Sequence, residues 1–295
     1  MRVGAIVTVP PYATFIEEVA RHPLVRGLRL NTVMPIKGAP HDTLKRLSGH
    51  GVPLWVDLKG RQLRVVGAAI PPFTEVRVSH AVSVETPADC FFDDGREYAR
   101  VMAVDGDRLI LEDTPRRFVG PGESLNLVHP SLVVHGTLTA TDKGYLAAMG
   151  ELGLRRVMLS YCEVASDVDE VKALLPGAEV VLKIESLKGL DLAMAQGAKQ
   201  GRLMAARGDL YVEVLEPHRI VRAMRAVIGA DGEAWVASRL FPSLAKGDVP
   251  DAQDIGDAAW LLSLGYRTFM LGDEVCLRRD SVLAALNLLE RVAES

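Results

Sequence analysis

Cysteine is scarce in this chain and never paired in spacing. Cys90, Cys162 and Cys276 lie far apart with no C-x-x-C among them, so neither a zinc site nor a disulfide framework is expected, as suits a reducing compartment. Basic runs are missing too. With a net charge of -4 the chain carries no field for a polyanion, which excludes nucleic acid as an expected partner. No window approaches the roughly 20 apolar residues that a bilayer span needs, so no membrane partner is expected. The apolar start MRVGAIVTVPPYA is short and broken by Pro10 and Pro11, and reads as a first β-strand rather than a signal peptide. A soluble, cytoplasmic protein is the expectation. Also absent are G-x-x-x-x-G-K, a G-x-G-x-x-G after a strand, and H-E-x-x-H. His80, His129, His135 and His218 show no ligand spacing and read as surface or hydrogen-bonded side chains.

What is present is an alternation. Among 295 residues, 48% apolar and 24% charged, short β-branched runs alternate with stretches of helical period, the pattern of βα units around a parallel sheet. Eight candidate strands can be read: VGAIVTV, RGLRLN, VPLWVDL, RRVMLSY, EVVLKIE, GRLMAA, EAWVAS and YRTFMLG. Helical stretches between them include HDTLKRLSGH, DVDEVKALL and DIGDAAWLLSLG. This predicts an α/β fold, a (β/α)8 TIM barrel, in preference to an open doubly wound sheet. One segment breaks the pattern. From Gln62 to His135 the turn signals DDG, VDGD and GPGE separate β-rich text, and FFDDGREYARVMAVDGDRLILED reads as antiparallel hairpins. The expected domains are a barrel over 1–61 and 136–295, and a small all-β lid over 62–135, inserted after the third strand and hanging over the C-terminal mouth.

The strand ends carry the chemistry. Arg29 and Asn31, Asp57 and Lys59, Lys183 and Glu185, Arg207 and Asp209, Ser238 and Arg239, and Glu274 all fall at or just past the C-terminal ends of candidate strands. In a barrel these positions converge on one rim. Lys183 and Glu185, at i and i+2, face the same side of their strand. Alone, KIE reads more readily as a self-satisfied ion pair, a common arrangement, and the strand ending in Arg207, Gly208 and Asp209 shifts that balance. Glu185 and Asp209 from adjacent strands supply the one or two carboxylates that magnesium, or manganese, takes from a protein. Lys183 adds a compact charge able to stabilise a transferring phosphoryl group or an enolate oxygen. Gly208, between Arg207 and Asp209, permits close backbone approach to a ligand.

At this point the sequence resembles the pyruvate kinase family. Lys183-Ile-Glu185 and Ala206-Arg207-Gly208-Asp209-Leu210 resemble its KIE and ARGDL strands, and GLRLN its Arg-Leu-Asn strand. VDLKGRQLR is similar to its Asp-Thr-Lys-Gly-Pro-Glu-Ile-Arg turn, FFDDGREYARV to a lid hairpin, and FMLGDE to Met-Leu-Ser-Gly-Glu. The ordered set runs from about residue 3 to residue 290. The resemblance implies that Glu185 and Asp209 bind the catalytic Mg2+ (or Mn2+), that Lys183 stabilises the phosphoryl group in flight and that Arg29 contacts phosphate. It further implies that Asn31 and Arg64 face nucleotide phosphates, and that Gly208 and Asp209 amides with the Ser238 hydroxyl hold the substrate carboxylate.

Departures from that family have consequences. Its monovalent-cation ligands correspond to Asn31, Val33, Asp57 and Leu58, so Val33 removes an oxygen ligand, and Gln62 stands where the family has Glu or Lys. K+ is therefore not expected. Tyr211 replaces Gly, Arg239 replaces Gln and Gly272 replaces Ser, while the sequence ends at Ser295, ahead of the family's C-terminal regulatory domain. Three readings follow: a pyruvate kinase-like phosphotransferase using phosphoenolpyruvate or a related 2-oxo acid with ADP or ATP; a metal-dependent 2-oxo acid lyase or aldolase without nucleotide; and a non-catalytic metabolite-binding homologue. A homo-oligomer is compatible with all three.

Overall fold

The computed structural model describes residues 3–67, 70–247 and 249–295. Eight parallel strands close into a barrel: Gly4–Thr8, Val25–Asn31, Leu54–Leu58, Arg156–Leu159, Glu179–Ile184, Arg202–Ala206, Trp235–Ala237 and Thr268–Leu271. The first strand pairs with both the second and the last, Gly4 lying opposite Thr268, which seals the cylinder. All eight candidate strands of the sequence form. Helices follow each strand, including two the text did not single out, Ala140–Leu152 and Leu187–Gln196. The first of these carries glycines at 144 and 150, which weaken its helical pattern.

Alternation along each strand divides two environments. Ala5, Val7, Leu28, Leu30, Val56 and Leu58 point outward and pack under the helices in the main core. Ile6, Trp55, Met158, Val181, Met204, Trp235 and Met270 fill the barrel interior, where Trp55 meets Trp235 edge-to-face at 4.9 Å. Gly27 makes room for this layer, since a Cβ there would lie 2.9 Å from the Pro53 carbonyl and 3.1 Å from the Trp55 ring. Moving two residues toward the C-terminal ends, the same inward face turns polar: Ile6 gives way to Thr8, Gly27 to Arg29, Trp55 to Asp57, Met158 to Ser160 and Val181 to Lys183. A tightly packed apolar floor thus carries a charged layer at the mouth.

Between the third and fourth barrel strands the chain builds a separate antiparallel sheet, ordered Glu75–Arg77, Arg108–Leu111, Glu97–Asp105, Ala88–Phe92 and Leu125–Val128. It has its own core, centred on Val76, Cys90, Phe92, Val101, Leu109 and Leu127. A two-stranded ribbon, Val82–Ser83 with Val133–Val134, flanks it. The predicted hairpins lie in this sheet, and the DDG turn bends with positive φ at Asp93, Asp94 and Gly95.

The chain leaves the barrel through Lys59 and Gly60, whose amides donate to the buried Asp142 carboxylate at 2.9 and 3.3 Å. Asp142 is held in a capping box with Thr139 at the start of the Ala140–Leu152 helix. Gly60 has φ +50°, and a Cβ there would sit 2.4 Å from the Ser160 carbonyl oxygen. Gly60→Ala is expected to destabilise the fold by about 1–3 kcal/mol, read as a lowered urea midpoint. An unchanged midpoint would show that this turn relaxes freely.

Candidate functional site

At the end of the third strand Asp57 is fully buried among three cations. Arg29 Nε donates to Asp57 Oδ2 at 2.8 Å and Nη2 donates to the same oxygen. Lys183 Nζ lies 3.4 Å from both carboxylate oxygens, and Lys59 Nζ 3.6 Å from Oδ2. Burial alone would raise the Asp57 carboxyl, but Lys183, Lys59 and Arg29 outweigh it and hold it far below the usual carboxylate range. Lys183 Nζ also donates to Ser160 Oγ at 2.7 Å and pairs with Glu185 Oε1 at 3.1 Å. Burial disfavours its charge, yet Asp57 and Glu185 more than compensate and raise its pKa. The KIE pair is therefore one edge of a larger cluster and not a closed pair.

Glu185 Oε2 accepts the Tyr161 amide at 2.8 Å. Burial raises its pKa; Lys183 opposes this, and the charge of Asp209 adds to it. Asp209 lies in the first turn of a short helix, Arg207–Glu213, where the sequence suggested a continuing strand end. Its two oxygens accept from Gln62 Nε2 and Asn126 Nδ2, both at 3.1 Å. Gln62 Oε1 accepts from Arg64 Nη2 at 2.6 Å, which orients the Gln62 amide toward Asp209. Arg64 also donates to the Gly122 carbonyl; among the described residues no carboxylate pairs with it, and its buried Nε has no hydrogen-bond partner.

A cavity of about 850 Å3 opens onto this layer. The residues given substrate, metal or nucleotide roles from the sequence line it: Arg29, Asn31, Arg64, Lys183, Glu185, Gly208, Asp209 and Ser238. So do Arg239 and Tyr211, whose guanidinium and ring stack at 4.3 Å, and Phe91, Asp94 and Ser124 from the inserted sheet. Arg239 further donates to the Asp94 carbonyl at 3.2 Å, tying barrel rim to sheet. Ser238 and Arg239 adopt left-handed φ of 67° and 54°, an uncommon conformation for such residues. Arg207 does not line the cavity; it pairs bidentately with Asp257 at 2.7 Å and donates to the carbonyls of Ser238 and Arg239, bracing that turn. A Cβ on Gly208 would meet only Ser238 atoms, at 3.4 Å, so protein neighbours do not demand glycine there and its open face belongs to the cavity. Glu274, singled out from the sequence, is an exposed wall residue; its neighbour Asp273 makes the contacts, receiving bonds from Arg29 at 2.8 Å and Asn31 at 2.6 Å.

The donor set fits a hard divalent cation. Among the described residues no cluster of three or more His, Cys, Asp or Glu side chains has metal-binding geometry. Glu185 and Asp209 nevertheless supply two like-charged carboxylates on one cavity wall, the number magnesium commonly takes from protein. Sequence reasoning missed Asp57 as the hub, along with Ser160, Asn126, Tyr161 and Asp273. Asp57 and Lys59 repeat the i, i+2 spacing of Lys183 and Glu185, which was the available signal.

Burial pushes the Lys59 ammonium down to about 7, with Asp57 offsetting only part of it. An unfolded chain holds that proton up to about pH 10.4. Between these values the unfolded state binds more protons, so Lys59 makes stability rise with pH. Urea unfolding at pH 7, 8.5 and 10 is expected to show parent stability growing relative to Lys59→Met; a constant difference would contradict the assigned burial.

No family model matches the chain. A pyruvate kinase of Agrobacterium vitis is 29% identical over 210 residues, 70% of this chain and 43% of that protein. One of Borreliella burgdorferi is 23% identical over 303 residues, covering 92% and 62%. The chain thus spans about half the length of the curated relatives it matches. Crystal structures of pyruvate kinases from Cryptosporidium parvum and Pyrobaculum aerophilum superpose with TM-scores of 0.79 and 0.77, at 18% and 19% identity. Each alignment covers 99% of this chain, and 70% and 73% of the respective structures. Curated relatives and barrel superposition agree: at the level of its TIM-barrel domain, this chain is similar to the pyruvate kinases.

Proposed function

We propose that the barrel mouth carries out metal-assisted enolate chemistry on a 2-oxo acid, with pyruvate kinase-like phosphoryl transfer between phosphoenolpyruvate and ADP as its reaction. The observation that carries this reading is Lys183, a buried ammonium fixed by Ser160, Asp57 and Glu185 and facing a cavity that also contains Asp209. A preorganised cation at that position stabilises charge developing on an enolate oxygen or a phosphoryl group without reorganisation. Glu185 and Asp209 would hold Mg2+ or Mn2+, which when bound supplies Lewis-acid polarisation of the substrate oxygens. The Ser238 hydroxyl and the amides of Gly208 and Asp209 would receive the carboxylate. Arg64, which lines the cavity with no carboxylate paired to it among the described residues, is suited to an incoming phosphate, and Asn31 lines the same cavity.

Residues 62–135 act as a lid in this reading, excluding water from the phosphates, and the Arg239 contact to Asp94 is part of its seat. K+ has no role in this reading: Val33 presents an apolar side chain at the cavity, and Asn31 Oδ1 accepts the Val33 amide. The setting is the cytoplasm; among the described residues no helix is long and apolar enough to cross a membrane.

A second reading, lyase or aldolase chemistry without nucleotide, is favoured by one feature: Arg29 is already covered by carboxylates. With Mg2+ or Mn2+, phosphoenolpyruvate and ADP, the parent protein is expected to form pyruvate at a rate that K+ changes less than about twofold. Lys183→Met should lower kcat by about 10^2–10^3. Oxaloacetate cleavage with no nucleotide consumed would overturn phosphoryl transfer in favour of the second reading.

A further inference from the structure

Arg29 is expected to contact phosphate, but its donors are taken. Nε and Nη2 both donate to Asp57 Oδ2, while Nη1 donates to Thr8 Oγ1 at 2.9 Å and to Asp273 Oδ1 at 2.8 Å. A guanidinium has five N–H groups, and four of these are directed at protein oxygens. The other oxygen of Asp273 accepts from Asn31 Nδ2 at 2.6 Å, and Asn31 Oδ1 accepts the Val33 amide, which orients the Asn31 side chain. Asp273 therefore engages this wall as an anionic ligand would, one oxygen on a guanidinium and one on an amide.

The two carboxylates on Arg29 differ in their freedom. Asp57 is fully buried inside the barrel and holds two lysines as well. Asp273 sits just beyond the last strand, with its side chain 39% exposed at the cavity wall, against 7% for Arg29. A partly exposed pair is the weaker and the more easily exchanged of the two. A dianion arriving at Arg29 meets a guanidinium already neutralised and a carboxylate in its path. A 2-oxo acid bound near Ser238, Gly208 and Lys183 meets neither.

We propose that Asp273 is a specificity residue: its carboxylate occupies the anion position on Arg29 and Asn31, so the mouth accepts an unphosphorylated 2-oxo acid directly and a phosphorylated ligand only after Asp273 is displaced. This rests on the reading of the mouth as a 2-oxo acid site. It predicts that phosphorylated ligands bind more weakly than Arg29 and Arg64 together would allow.

Calorimetric titration in Mg2+ buffer at fixed ionic strength provides the test, with inorganic phosphate and pyruvate as separate probes. The proteins are the parent, Asp273→Ala and Asp273→Asn, each checked for parental circular dichroism. Removing the carboxylate should tighten phosphate binding by about fivefold or more, with pyruvate affinity unchanged within about twofold. Asp273→Asn keeps an oxygen on Arg29 but loses the charge, and should fall between the other two. Phosphate affinity that is unchanged or weaker in both variants, beside normal pyruvate binding, overturns the inference and leaves the 2-oxo acid reading intact. Failure of pyruvate to bind any of the three overturns that reading, while the phosphate comparison, which needs no pyruvate, still decides the role of Asp273.

Discussion

The mouth depends on one buried anion. Asp57, with no exposed surface, balances Arg29, Lys59 and Lys183 in a layer directly above the packed interior of the barrel. Three cations confined there without it would face several kcal/mol of uncompensated desolvation and mutual repulsion each. With it, burial and pairing nearly cancel, and the lysines divide: Lys183 gains enough from two carboxylates to stay charged, whereas Lys59, facing the same Asp57 among other cations, titrates near neutrality. Asp57 thereby gathers the cations, and Glu185 decides which lysine keeps its proton.

This arrangement follows from a strand's period of two. The residues that fill the barrel, Trp55, Met158 and Val181, are each followed two positions later by Asp57, Ser160 and Lys183, and the apolar layer beneath excludes water from the polar one. Residues of the inserted segment, Phe91, Asp94 and Ser124, line the cavity. Gln62, at the segment's entry and oriented by Arg64, reaches back to Asp209, and Asn126, at its exit, reaches the same carboxylate, so sheet and rim meet at a proposed metal ligand. A shift of the sheet would change the hydrogen bonding of Asp209 directly.

The barrel was legible because eight apolar runs, punctuated by turns, repeat at βα spacing, and the site because charged pairs stand at the ends of those runs. Lys183, Glu185, Asp209 and Ser238 were singled out on that basis together with the family resemblance, and all four line one cavity. Other partners are set by side-chain direction across the barrel, which no local pattern carries. Ser160 follows a strand as an ordinary small polar residue, and only the register of that strand against Glu179–Ile184 brings it against Lys183. Asp273 sits beside Glu274 in the sequence, yet the turn aims Asp273 at Arg29 and leaves Glu274 exposed on the cavity wall. At Arg207-Gly208-Asp209 an apolar run continues past a glycine, and the chain turns helical because the strand has reached the rim.

The central claim is that Glu185 and Asp209 form, with Lys183, one site where a divalent ion and a 2-oxo acid meet. Proton relaxation of the pyruvate methyl group in the presence of Mn2+ tests it most directly. The account predicts strong enhancement on adding the parent protein and its loss in Glu185→Gln. Enhancement that persists in Glu185→Gln, or Mn2+ that binds without relaxing pyruvate, would contradict it.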